Sequence, residues 1–427
     1  MRRSWMFCGN ASVYSMVAAM SVCIAATCSF SACSGDSEEP SPESPTYAES
    51  RTVLVYMEAE NSLNSKVSSD VAEMLLGMKD NTLYAKDRLV LYVDDVELPR
   101  YYVIDKNTEA RSLSELTPVL EYTEDVNSSS ADQLAEAFLQ AKTLCPADSY
   151  GLVMWSHASG WVPSSYAGDA LSTRNSVSMP RRSFGADNGK NTTSNTGSEM
   201  DMMKMARALE KEGGVDFILF DACFMQNLEV AYELRNATKY VISSPAEIPG
   251  PGAYYVTMVQ ALFKRNNFDA EILQAYYDFY TTVDTMYGLV MSSVQTNALP
   301  DFAAYMKKVV AAHREELLMT DYSNTFNYRR ASWTDYLSPD LYDAQGLMKQ
   351  VLSADEYTQW KQEVAKVVTC KHASGWYSSF NNRMNPIDDE LCCGITMHVP
   401  LSRYESSRLK LNEYFLKTAW GKDVWKE

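Results

Sequence analysis

Two apolar runs that end on reactive side chains constrain this chain more than any other feature. Val215-Asp-Phe-Ile-Leu-Phe-Asp-Ala-Cys223 leads directly into a thiol, and Tyr150-Gly-Leu-Val-Met-Trp-Ser156, 66 positions earlier, leads into His157. Runs of this length and apolarity are buried strands. Neighbouring strands of one parallel sheet end at the same edge, so a cysteine and a histidine far apart in sequence are expected to meet there. That is the layout of a cysteine hydrolase.

The surrounding pattern supplies the sheet. Thr52-Val-Leu-Val-Tyr-Met57 and Arg88-Leu-Val-Leu-Tyr-Val93 read as buried strands, and Tyr101-Tyr-Val-Ile-Asp105 as an additional or edge strand. Between them Val67, Val71, Met74 and Leu75 recur at helical spacing over Asn64 to Met78, and Ser130 to Thr143 is a helix opened by capping Ser and Asp residues. Further helices are expected over Glu199 to Glu212 and Leu228 to Leu234, with another strand at Tyr240-Val-Ile-Ser-Ser244. Alternation of this kind predicts an α/β fold, a mainly parallel sheet with helices on both faces. From Phe263 onward the periodicity is mostly helical, interrupted by strand-like runs at 287–293 and 394–400 that either extend the first sheet or belong to a second domain. A helix is expected from Tyr357 to Cys370, after which His372-Ala-Ser-Gly-Trp376 repeats His157-Ala-Ser-Gly-Trp161 by chance. Residues 51–262 are thus read as a catalytic core and 263–427 as a mostly helical C-terminal region.

The chain begins as exported lipoproteins do. Arg2 and Arg3 precede a fifteen-residue apolar stretch, Val13 to Thr27, which suits a signal peptide better than a bilayer span. Phe30-Ser-Ala-Cys33 is similar to a bacterial lipobox, so residues 1–32 are expected to be removed and Cys33 lipidated; Cys28 is a second lipidation point that the pattern allows. Residues 33–50 are acidic and rich in Pro and Ser, which makes them a solvated tether. The expected location is the bacterial cell envelope, at the outer membrane or cell surface. Processing removes only Arg2 and Arg3 among the charges, leaving 36 basic against 55 acidic residues, a net of −19. This acidity argues against a nucleic-acid partner. Six cysteines remain, one of them carrying lipid, so at least one free thiol is expected. No spacing marks a metal site: Cys392-Cys393 has no partner pair and the four histidines are scattered.

Asp221-Ala-Cys223, Glu229, Ala231-Tyr-Glu-Leu234, Ser243-Ser244 and the loop Pro249-Gly-Pro-Gly252 resemble the nucleophile segment of the clostripain-like cysteine peptidases. Tyr56-Met57, Glu60-Asn-Ser-Leu63, Trp155-Ser-His-Ala-Ser-Gly-Trp161 and Gly394 to Pro400 extend the resemblance, in order, over most of residues 51–400. It implies a caspase-like fold and cleavage of protein or peptide substrates after Arg or Lys. Cys223 would be the nucleophile and His157 the proton carrier, with main-chain N–H groups of Cys223 and Ala158 holding the oxyanion. By resemblance Asp221 pairs with a basic P1 side chain, and Glu247 is a weaker candidate for the same pocket wall. Relatives are often activated by cleavage in the loop after this histidine. Here that loop, 162–198, offers Arg174, Arg181, Arg182 and Lys190. No cofactor is needed for the chemistry. Calcium dependence occurs among relatives, but no compact acidic loop of the EF-hand kind places an ion. The family generally has Gly after the histidine; Ala158 keeps the N–H but disfavours positive φ. This departure motivates the alternative of an inactive lipoprotein that binds partners on a retained peptidase fold.

Overall fold

A computed structural model describes residues 49–80, 83–162, 183–187, 197–329, 340–379, 382–405 and 410–426. The signal segment, Cys33, most of the tether, and Arg174, Arg181, Arg182 and Lys190 lie outside the described residues.

Among the described residues twelve strands are formed: β1 (Arg51–Glu58), β2 (Arg88–Asp94), β3 (Arg100–Ile104), β4 (Leu120–Glu121), β5 (Ser149–Trp155), β6 (Phe184–Asp187), β7 (Ser198–Met200), β8 (Val215–Asp221), β9 (Thr238–Ser243), β10 (Gly288–Gln295), β11 (Val368–Ser378) and β12 (Arg383–Pro386). Ten of them make one sheet in the order β12-β11-β10-β9-β8-β5-β1-β2-β3-β4, and β6 and β7 pair separately. The five central strands, β9 to β2 in that order, run parallel, and antiparallel strands flank them on both sides. Residues 287–293 therefore extend the first sheet rather than founding a second one, and residues 47–427 group as a single unit.

Each central strand is buried on both faces, which is why the strands read as continuous apolar runs. Leu54, Tyr56, Leu152, Met154, Ile218 and Phe220 pack on one face with helices that include Ala131–Leu144, Met202–Lys211 and Leu299–Ala312. Val53, Val55, Val153, Trp155, Phe217 and Leu219 pack on the other face beneath Val67–Gly77, Tyr255–Leu262 and Phe268–Asp278. Met200, Met202 and Met205 are core residues, and Met203 is partly buried against them.

Four local expectations are corrected. The helix expected over Tyr357 to Cys370 spans Ala354–Val364, and β11 starts at Val368, so the repeated His372-Ala-Ser-Gly-Trp376 lies within a strand. A capping box at Ser353 and Glu356 opens that helix, while the β-branched pair Val367-Val368 favours the strand that follows. Residues 394–400 form no strand; Thr396 makes single bridges to Asn227 and Asp343, held as an extended crossing between two loops. The segment 162–198 is not wholly loop, because β6 lies inside it, and the helix expected from Glu199 begins at Met202, capped by Asp201.

Replacing Leu219, fully buried in β8, with Ala should lower unfolding free energy by about 3 kcal/mol, read as a shifted urea midpoint with unchanged slope. A loss below about 1 kcal/mol would contradict the packing described for this strand.

Candidate active site

β5 and β8 pair in parallel with Trp155 opposite Asp221. His157 and Cys223 each lie two residues beyond that pair, so both leave the sheet at its C-terminal edge, on adjacent strands. Beyond Asp221 the chain turns sharply: Phe224 has a positive φ of 61°, and its N–H is bonded to Ala246 O at 2.9 Å. The turn keeps Cys223 half-buried rather than driving it into the core.

The thiol is held by the loop after β9. Cys223 Sγ lies 3.7 Å from Ile248 O, to which it donates, and 3.4 Å from Ile248 N, which donates to it. Burial, reinforced by the Glu247 carboxylate, pushes its pKa up to about 12. The imidazole is likewise kept neutral, its pKa lowered to about 4 by burial alone. Nε2 of His157 pairs with Ser62 Oγ at 2.8 Å, and among the described residues no hydrogen bond joins the ring to Cys223. Thiol and imidazole thus rest as neutral neighbours, since a thiolate–imidazolium pair needs more polar surroundings than either now has.

The main chain beside them is poised differently. Ala158 forms an antiparallel bridge to Phe184, flanked by bonds from Ser159 N to Ser183 O and from Gly185 N to His157 O. In that pattern the N–H of Ala158 points away from β6, and among the described residues neither it nor the Cys223 N–H has a main-chain partner. Ala158 does not adopt positive φ, so alanine is unstrained where relatives generally carry glycine.

Asp221 is buried on the Trp155 side of the sheet and accepts from Tyr255 Oη and Tyr276 Oη, both at 2.9 Å, and from Ala253 N at 3.1 Å. Gly252, with φ of 68°, lets the loop close over this carboxylate, where a Cβ would stand 3.1 Å from Oδ2. Two further acids approach. Asp70 accepts from Trp155 Nε1 at 2.9 Å, and Glu73 accepts from Tyr255 N at 2.9 Å. Burial first, then Asp221, raises the Asp70 pKa to about 7. Glu247 lies elsewhere: Ser379 N donates to it at 3.1 Å, and the charge acting on it is that of Arg329, whose guanidinium carbon is 5.7 Å from the Phe224 ring. Asp221 and Glu247 are thus held by different partners, and both act on the Cys223 thiol.

Ser62, Asp70, Glu73 and Tyr276 were not singled out by sequence reasoning. Glu60-Asn-Ser-Leu63 carried a resemblance but no role. Asp70 had a readable signal, because it stands three residues after Val67 and four before Met74, on the helix's apolar stripe.

The neutral resting thiol makes a direct prediction. Alkylation of Cys223 in the intact chain, followed by peptide mass, should accelerate about tenfold per pH unit from about pH 6 to about pH 10 without a plateau, because thiolate forms only near its raised pKa. A plateau beginning below about pH 6 would mean that an ion pair already exists.

The profile of the clostripain family, Peptidase_C11, matches residues 55–415. Clostripain of Hathewaya histolytica is 27% identical over 228 residues, which cover 48% of this chain and 40% of that protein, so the aligned part is less than half the relative's length. Two solved structures align with nearly the whole fold. An inactive zymogen C11 protease from Parabacteroides distasonis has a TM-score of 0.70 at 26% identity, covering 90% of this chain and 99% of that one. A secreted C11 cysteine protease from Bacteroides thetaiotaomicron, in complex with an irreversible peptide inhibitor, has a TM-score of 0.69 at 27% identity, covering 88% and 99%. With this coverage, and with the sheet edge that carries Cys223 and His157, the chain belongs to the clostripain family of cysteine proteases.

Proposed function

We propose that this chain is an exported, lipid-anchored cysteine endopeptidase that cleaves after Arg or Lys. The observation that carries the reading is the β5–β8 register, which brings His157 and Cys223 to adjacent positions on one edge. A substrate carbonyl entering there would meet the Cys223 sulfur and the N–H groups of Cys223 and Ala158. Sulfur attacks the carbonyl carbon while His157 receives the thiol proton; the carbonyl electron pair moves onto oxygen, where the two N–H groups stabilise it. Collapse of the tetrahedral intermediate breaks the C–N bond, and His157 returns the proton to the departing amine. Water then attacks the thioester with His157 as base, releasing the acid and the thiol.

The preference for basic residues rests on Asp221, Asp70 and Glu73, three carboxylates gathered beside the scissile position. A guanidinium or ammonium there would supply the counter-charge in a desolvated setting, where ion pairs discriminate strongly. Ser62 would hold the imidazole in place. Lipidation at Cys33 and self-cleavage after Arg174, Arg181, Arg182 or Lys190 complete the proposal, consistent with the secreted relative and the zymogen relative described above.

The neutral thiol and imidazole, with no hydrogen bond between them among the described residues, also favour a second reading, a binding module that retains the fold without turnover. Arg-, Lys- and Asp-linked fluorogenic peptides decide between them. The purified protein should release fluorophore from the Arg or Lys peptides only, Cys223→Ala should abolish release, and Asp221→Ala should lower kcat/KM for them by about 10²-fold or more. Silence on all three from folded protein that also shows no self-cleavage would favour the binding module, and turnover that survives Cys223→Ala would overturn the nucleophile assignment.

A further inference from the structure

Five cysteines are described, all as thiols, and only Cys223 has a place in the chemistry above. Three of the others converge at the antiparallel side of the sheet. Cys370 stands in β11, opposite Ser292 of β10. Cys392 and Cys393 come from the segment that passes over this strand pair, where Ser292 Oγ donates to Gly394 O at 2.6 Å. The passage is close. Gly394 has a positive φ of 80°, and a Cβ there would stand 2.4 Å from Cys370 Sγ and 2.9 Å from Cys370 Cβ. Glycine is thus required both by its backbone angle and by the sulfur beneath it.

The two adjacent cysteines go to different places. Cys393 packs in the core with Val294, Leu347 and Ile395, and its Sγ meets Asp343 Oδ1 at 3.1 Å. Cys392 packs in the smaller cluster of Phe326, Tyr328, Leu341 and Trp376, and Cys370 lies against that same cluster. Tyr328 Oη is 3.1 Å from Cys392 Sγ. A hydrogen bond with Cys392, ahead of burial, pushes the Cys370 thiol up from its ordinary pKa. Cys370 and Cys392 therefore meet side chain to side chain, while Cys393 turns away to an acid.

We propose that Cys370 and Cys392 are an oxidative cross-linking site, which closes as a disulfide when the chain meets a disulfide oxidant. The structure describes its reduced form. Closure takes two exchanges. Cys370, the less buried of the pair, attacks as thiolate on one sulfur of the oxidant, whose S–S bond breaks and releases one thiol. Cys392 then attacks the Cys370 sulfur of the mixed disulfide and releases the second thiol. The protein gives up two electrons and two thiol protons, and the oxidant, reduced to two thiols, takes them up. Export, as proposed above, would supply oxidising surroundings, although the chemistry of the pair does not depend on the peptidase reading.

The cross-link would brace the active site from behind. Two residues past Gly394, Thr396 N donates to Gln226 O at 3.0 Å and Thr396 O accepts from Leu228 N at 2.9 Å. The segment that carries Cys392 thus supports the turn after Cys223, and a disulfide to β11 would fix that support to the sheet. It would also close a loop of about 22 residues, long enough to restrict the unfolded chain.

The test uses the full chain carrying Cys223→Ala, so that the nucleophile cannot enter the exchange. The urea-denatured chain is refolded at about pH 8 in reduced and oxidised glutathione, alkylated, and digested with trypsin without reduction. Peptide 367–371 should be joined to peptide 384–403, with fragmentation placing the bond at Cys392, and dithiothreitol should separate them. The oxidised protein should melt about 4 °C above the reduced one. Cys370→Ala and Cys392→Ala should each abolish that difference, and Cys393→Ala should keep it. Refolded protein in which Cys370 is alkylated, bound to glutathione, or joined to any cysteine but Cys392 would overturn the proposal. A linked form that melts no higher than the reduced one would overturn the bracing role. Should a cysteine variant fold poorly, the linked peptides of the Cys223→Ala chain decide by themselves. Turnover plays no part in any readout, so failure here leaves the peptidase reading standing.

Discussion

Everything functional in this molecule depends on the register between β5 and β8. Because Trp155 stands opposite Asp221, the two strands finish level, and the residues that follow them leave the sheet side by side. A slip of one residue would send Trp155 and Asp221 to the opposite face, exchanging a buried indole and a buried acid for the partners of Met154 and Phe220. Packing on both faces forbids that slip. The hydrophobic effect, acting on residues such as Val153, Leu219, Ile218 and Met154, therefore fixes where the thiol and the imidazole leave the sheet.

The same burial that fixes the edge also quiets it. Desolvation disfavours both the thiolate and the imidazolium, and the Glu247 carboxylate disfavours the thiolate further. Reactivity then requires a change in surroundings rather than a new residue. Under the proposed preference for basic residues, substrate binding would be one such change, because a basic side chain laid against Asp221, Asp70 and Glu73 would bring positive charge toward the sulfur and lower the cost of ionising it. Specificity and nucleophile activation would then be two effects of one charge, and a substrate lacking that charge would fail at both.

Much of this was legible in the linear chain. Central strands of a doubly covered sheet are apolar throughout, so β1, β2, β5 and β8 stood out, and the thiol and imidazole could be recognised because each closes such a run. Other elements were hidden for physical reasons. β11 contains Lys371, His372 and Ser374 on an outer, antiparallel part of the sheet, so its pattern is too polar to distinguish from the end of the preceding helix. Residues 394–400 have strand composition but meet only single partners, an outcome decided by tertiary contacts rather than by propensity. Ser62 and the acids beneath Asp221 are brought together from positions more than 85 residues away from the strand ends that they serve, and no local rule reveals such convergence.

Asp221 illustrates why a costly residue is retained. A carboxylate in this position, surrounded by Trp155, Tyr255 and Tyr276, weakens the fold relative to an apolar side chain of similar shape, because even three hydrogen bonds do not restore what water would give it. The two tyrosines and the Ala253 N–H leave it oriented and only partly neutralised, which is a poor arrangement for stability and a good one for recognition. The same reasoning applies two and three strands over, where Glu58 and Asp94 close β1 and β2 with acids after apolar runs. At both places the sheet ends its apolar runs on buried acids rather than on apolar side chains.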